Sequence, residues 1–279
     1  MNPSSSIEIR PYHWEGIYAQ YRGSARHDPA LCADVRASWM PDGERLILRC
    51  CEIIGMPDSY IYDDHRPPAE PETRGKHYRH NAFQWDTSNA PRQLTTDCRI
   101  PGKGEFRVQL TAADDCVDIH LGLRNDLAEP MGPVDWAFCA IGLECPSVND
   151  EKQERTYFSD GENLHNFREI AGSNNTWIHR VVGGDDFIPA VHSHLPVGPV
   201  RARESLVMVQ GESGDYAAAL GFEQSYACYA SIGNLCFHAD PSFGTLEPGE
   251  EKHMHGRLYL QQGSALDTLR RYQQDFAAG

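Results

Sequence analysis

Residues 234–260, NLCFHADPSFGTLEPGEEKHMHGRLYL, decide how this chain of 279 residues is read. They have the pattern of two β-strands joined by a turn, yet His238, His253, His255 and Arg257 fall inside the strands. Successive side chains on a strand point to opposite faces. In KHMHGRLYL, Met254, Leu258 and Leu260 therefore share one face, and His253, His255, Arg257 and Tyr259 the other. In NLCFHADP, Leu235 and Phe237 share a face, and Asn234, Cys236 and His238 lie opposite. The ionisable groups avoid the core, as on a half-buried antiparallel sheet.

The same alternation recurs upstream. EFRVQLTAADDCVDIHLGLRN (105–125) reads as a hairpin, with Asp118, His120 and Arg124 opposite a core set of Val117, Ile119, Leu121 and Leu123. RTYFSDGENLHNF (155–167) is a second, turning at Asp160-Gly161, and LVMVQGESGDYAAALGF (206–222) a third. ERLILRCCEIIG (44–55) is a continuous apolar run, the signature of a buried strand, and DWAFCAIGLECPSV (135–148) is another strand that stops before Pro146. Helix is scarce. The persuasive case is GSALDTLRRYQQDF (263–276), where Ser264 caps, Asp267 follows three residues later, and Leu266, Leu269, Tyr272 and Phe276 recur at nearly helical spacing. This helix is expected on the outside or edge of a sheet. Two proline-broken and glycine-broken stretches, 56–81 and 168–200, read as long loops on a β scaffold, where binding residues concentrate.

Composition narrows the function. A net charge of −15 argues against nucleic acid and against an anionic membrane surface. No stretch approaches the ~20 apolar residues that span a bilayer. The start MNPSSSIEIRPYHW lacks a basic segment followed by an apolar one, and the nine cysteines are odd in number without a C-x-x-C pair. Buried thiols in a reducing cytoplasm are the expectation. GxSxG, P-loop, GxGxxG and HExxH patterns are absent, which removes serine hydrolases, NTPases and dinucleotide oxidoreductases.

Candidate site residues follow from chemistry and placement. His238 runs into Asp240 and Pro241, where a strand is expected to end, and a histidine beside a carboxylate has its tautomer fixed and its pKa raised. His192 and His194, two apart in VHSHLP, would offer two imidazoles to one metal, with His238 or His80 as a third ligand. KHYRHNAFQWD places His80, Asn81 and Trp85 together after the first loop, as binding residues or as a solvated loop beside a core Trp. Arg155 and Tyr157 share a strand face, and Arg155 could hold a sugar hydroxyl or pair with a neighbouring carboxylate. Glu144 and Glu223 close strands and are both candidate bases.

FGTLEPGEEKHMHGRLYL (243–260) resembles the closing strands of galactose-mutarotase-like β-supersandwich proteins, where an L-x-P-G-E turn leads into a final alternating strand. The resemblance implies work on sugars: anomer interconversion by paired histidines and a Glu base, or glycoside or uronate cleavage. His80, His192 and His194 are rough matches for the paired histidines, and no particular Glu carries over.

The expectation is one domain, residues 1–279: an all-β, two-sheet antiparallel sandwich of the supersandwich type with a C-terminal α-helix. The leading function is cytoplasmic acid/base chemistry at or next to the anomeric carbon of a small-molecule sugar or glycoside, as an epimerase, lyase or hydrolase. His238 with His80, His192 or His194 would carry protons and Tyr157 would assist, while Arg155, Trp85, Asn81 and Asp240 would hold substrate. This reading needs no cofactor. One alternative is a metal-dependent lyase or hydrolase on a cupin-like or jelly-roll sandwich, with a divalent metal on His192, His194 and His238. Another is a non-catalytic sugar-binding or assembly module. Sheet edges that need cover are compatible with a homo-oligomer.

Overall fold

The computed structural model describes residues 7–12, 31–56, 60–63, 73–74, 77–80, 84–100, 102, 104–171, 178–183, 195–231 and 235–276. Two sheets face each other across an apolar core, as the alternating patterns require. The first, of ten strands, contains β1 (Ile7–Tyr12), β2 (Cys32–Ala37), β3 (Leu46–Gly55), β4 (Tyr60–Asp63), β5 (Thr73–Arg74) and β6 (His77–His80). It is completed by β10 (Met131–Ile141), β13 (His179–Arg180), β16 (Ser225–Ser231) and β17 (Cys236–Leu246). The second, of eight, contains β7 (Gln93–Ile100), β8 (Gly104–Ala112), β9 (Cys116–Asn125) and β11 (Thr156–Ser159). Its other strands are β12 (Leu164–Asn166), β14 (Leu206–Gln210), β15 (Tyr216–Phe222) and β18 (Glu251–Gln262). Among the described strands, pairing is antiparallel except between β4 and β6, and two isolated parallel bridges, Ile178↔Val197 and Val181↔Ala202, lie outside them.

The expected hairpins form. β8 and β9 pair from Gly104↔Asn125 to Ala112↔Val117, and the Asp160 turn joins β11 to β12 with Gly161 at φ +96°. β3 is the buried strand read from its apolar run, with β2, β4 and β10 as its neighbours. The core between the sheets takes Leu46, Leu48 and Ile54 from β3, Trp136 and Phe138 from β10, and Phe237 and Phe243 from β17. Phe106, Val108, Ile119, Leu258 and Leu260 meet them from the second sheet. Trp136 is fully buried, and its indole N–H donates to the Cys50 carbonyl at 2.9 Å, so its one polar atom is satisfied.

Three details of the sequence reading change. The stretch 56–81, read as a long loop, carries β4, β5 and β6 at one edge of the first sheet. β17 does not end at Pro241; it continues to Leu246, because β16 is irregular where it passes Pro241, between Ser225 and Ala227. A proline is tolerated in a strand at such an irregularity. His238 is therefore inside a strand rather than at its end. Helix α2 (Ala265–Phe276) forms as expected after the short α1 (Phe167–Ala171), but Leu266 is exposed, and Ala265, Thr268, Leu269 and Tyr272 are the buried set. The packed stripe lies one position round from the one read from spacing.

β17 and β18 look like a hairpin in sequence but belong to different sheets; the four-residue link 247–250 carries the chain across the end of the sandwich. Their polar faces consequently lie on opposite outsides of the molecule. On the second sheet, that outer face docks α2. Leu269 and Tyr272 pack on Leu206, Met208, Ala219 and Tyr259, and Arg257 bridges Asp118 on β9 to Asp275 on the helix. All nine cysteines are buried and none is in a disulfide. Among the described residues, no helix is long and apolar enough to cross a membrane.

Candidate active site

Register builds the site. Directly paired residues on neighbouring strands share a face. Tyr229 pairs with His238, His238 with Cys139, Cys139 with Arg49, and Arg49 with Cys32. This makes one row across β16, β17, β10, β3 and β2, on the outer face of the ten-stranded sheet, roughly 19 Å long at about 4.8 Å per strand. Asp240 extends the cluster along β17, and Asp135, paired with Ser242, extends it along β10.

An outer sheet face ordinarily meets water, yet this one is buried. Arg49, Asp135, His238 and Asp240 are 3%, 0%, 2% and 0% exposed. Ionisable groups are almost never this buried unless they are paired or in use. Asp240 Oδ1 accepts the Phe138 N–H at 3.0 Å and stands 3.2 Å from His238 Nδ1. Tyr229 stacks on the imidazole with ring centroids 4.1 Å apart. The ring is thus fixed on one side by a carboxylate and on its face by an aromatic.

Asp135 is the unusual member. Neither of its carboxylate oxygens has a hydrogen-bond partner in another described residue. Burial, then the nearby Asp240, raise its pKa well above the ordinary carboxylate value. Burial alone would depress His238; Cys236 and Asp240 outweigh it and lift the imidazole to about 10. Tyr226, also fully buried, is raised by burial and by the same two aspartates. Two carboxyls, an imidazole and a guanidinium therefore occupy one buried face, with the pKa values of Asp135 and His238 both raised, an arrangement suited to proton transfer.

The other sequence candidates are placed elsewhere. Arg155 is spent on backbone, donating to the carbonyls of Gln210 and Asn149. Tyr157 packs with the cluster under α2, on the far side of the sandwich from His238, and its hydroxyl reaches the Glu154 carbonyl at 3.4 Å. Trp85 packs on the core and donates its indole N–H to the Cys32 carbonyl at 2.8 Å. Glu144 is held by Tyr12 and Arg45, and Glu223 accepts the His255 N–H at 3.2 Å at the end of the second sheet. His80 lies on β6, where the backbone pairs with Asp63. His192, His194 and Asn81 lie outside the described residues, so of the expected metal triad only His238 is placed.

Arg49, Asp135, Cys139 and Tyr229 escape the sequence reading. Two of them leave a signal: a charge inside an apolar run, Arg49 in LILRCC and Asp135 in PVDWAFCAI. A charge in a central strand is costly enough that its presence points to a use.

No protein-family model matches the chain, and no curated protein does. Solved structures do. A galactose mutarotase related enzyme from Lactobacillus acidophilus aligns over 86% of this chain and 98% of its own, at 10% identity and a TM-score of 0.43. A galactose mutarotase-like protein from Lactobacillus casei aligns over 85% and 99%, at 12% identity and a TM-score of 0.40. One from Clostridium acetobutylicum aligns over 85% and 94%, at 12% and 0.39. The chain is similar to these in its course, at identities too low to carry a function.

Proposed function

We propose that this chain is an enzyme that moves protons at or next to the anomeric carbon of a sugar or glycoside, on the outer face of its ten-stranded sheet. The observation that carries the reading is Asp135: a fully buried carboxyl with no partner in another described residue, beside the oriented His238–Asp240 pair. Interconverting anomers requires one proton to leave the C1 hydroxyl and another to reach the ring oxygen, and cleaving a glycoside requires a proton at the leaving oxygen. Groups with displaced pKa values on one sheet face supply both.

In this reading Asp135 exchanges the proton at the anomeric hydroxyl. Its raised pKa makes its conjugate base a stronger acceptor than an ordinary carboxylate. His238, aimed by Asp240 and steadied by Tyr229, serves the ring or leaving oxygen, and Arg49 hydrogen-bonds hydroxyls.

The test is exchange NMR on a panel of aldoses, with glycoside cleavage followed on the same samples. Anomeric exchange or cleavage is expected in the wild type, with a loss of about 10²–10⁴-fold in His238→Gln. Unchanged turnover in that variant would remove His238 from the mechanism, and a wild type inert across the panel would remove the reading.

A further inference from the structure

Two neighbouring strands bring three metal-binding side chains to one point. Cys139 on β10 is the register partner of His238 on β17, and Cys236 precedes His238 by two residues on the same face. One ligand atom from each lies within 4.8 Å of the other two. We propose that Cys139, Cys236 and His238 form a binding site for a single thiophilic divalent cation, of which Zn²⁺ is the best match. The site rests on this geometry and not on the sugar reading.

The donor set selects the ion. Two thiolates and an imidazole suit Zn²⁺, whereas Mg²⁺ and Ca²⁺ take oxygen ligands. Tetrahedral ligands at about 2.3 Å from zinc stand about 3.8 Å apart, so atoms within 4.8 Å close on an ion by moving roughly 1 Å or less. The surroundings are also those of a ligating histidine. Such a ring usually gives its second nitrogen to a carboxylate, and here Nδ1 faces Asp240, itself aligned by the Phe138 N–H. Nε2 is then the nitrogen for the ion. Three protein ligands leave the fourth tetrahedral position for water or a substrate oxygen.

One consequence does rest on the sugar reading. A ring nitrogen that holds an ion cannot also carry a proton, so loading the site takes His238 out of proton transfer and slows turnover until a chelator removes the ion.

The experiment is a titration of the reduced, chelator-stripped full chain with Co²⁺ as a coloured stand-in, followed by displacement with Zn²⁺ and native mass spectrometry. One Co²⁺ per chain is expected, with a thiolate-to-cobalt charge-transfer band that Zn²⁺ abolishes. Cys139→Ser and Cys236→Ser should each remove the band, and Asp240→Asn should weaken binding about 10–100-fold. Cys98→Ser, on the second sheet, should leave it intact. If the serine variants fail to fold, the wild type decides alone, because a specifically bound Zn²⁺ raises its melting temperature in proportion to the logarithm of free metal. Substoichiometric binding with no thiolate band overturns the site, as does a band that survives both serine substitutions. No readout here uses sugar, so this failure and that of the sugar reading are separate results.

Discussion

At the scale of single residues, Asp135 carries the heaviest consequence. Its native pKa lies above the ordinary value, so between about pH 4 and that native value the folded chain holds a proton that the unfolded chain releases. Stability therefore falls as pH rises through this window. Asp135→Asn keeps the shape and removes the ionisation, so it should be more stable than the wild type above about pH 4, by roughly 1–3 kcal/mol where the gap is widest. It should also be at least about 100-fold less active. Urea melts from pH 4 to 9 check the first claim, and parallel curves for the two proteins would refute it. Gaining stability while losing activity is the mark of a residue kept for function. The residue was legible only in part: a charge inside PVDWAFCAI is visible in sequence, but its burial on the outer side of the sheet is not. Alternation says that Asp135 and Cys139 face away from the core. It does not say whether that direction ends in water.

At the scale of elements, α2 and β18 explain the other ionisable groups of the opening segment. The helix start is the capping box read from sequence: Asp267 N–H donates to Ser264 Oγ at 3.2 Å, and Ser264 N–H donates to Asp267 Oδ2 at 3.0 Å. Ser264→Ala should cost about 1 kcal/mol. Tyr272, buried with its hydroxyl donating to the Phe222 carbonyl at 2.6 Å, anchors the helix, and Tyr272→Ala should cost about 3–5 kcal/mol in a thermal or urea melt. A smaller loss for Tyr272→Ala than for Ser264→Ala would mean that α2 is not docked through this side chain. Beside it, His255 and then Arg257 hold Asp118 down to about 2 against its burial. A carboxylate with a lowered native pKa contributes stability that is present above its ordinary value of about 3.9 and lost as pH falls through about 2. With solvent screening this amounts to about 1 kcal/mol, and the stability gap between wild type and Asp118→Asn should narrow between pH 4 and 2. A gap constant across that range would contradict the assignment.

At the scale of the whole molecule, the patterns of the long strands such as β3, β8, β9 and β18 are readable, whereas the short strands β4, β5, β6 and β13 inside the two stretches read as loops are not, nor is the partition into sheets. Hairpins such as β8–β9 announce themselves because a short polar turn joins two alternating runs. β17 and β18 have the same appearance and yet sit in opposite sheets. Tyr157 on β11 and His238 on β17, both read as catalytic, likewise lie on opposite outsides of the sandwich. The loop candidates Asn81, His192 and His194 fall in the stretches 81–83 and 184–194 and lie outside the described residues. What the fold does supply is two outer faces with different uses. One is closed by α2 through ion pairs and apolar packing, and the other gathers buried acids, an imidazole and a guanidinium. The account stands on the second face being the reactive one. The direct measurement is the anomeric exchange rate, by NMR on the sugar the wild type turns over fastest, in Asp135→Asn and in Tyr157→Phe. The account predicts a loss of at least about 100-fold in Asp135→Asn and wild-type exchange in Tyr157→Phe. Full activity in Asp135→Asn with loss in Tyr157→Phe would place the chemistry on the opposite sheet and contradict it.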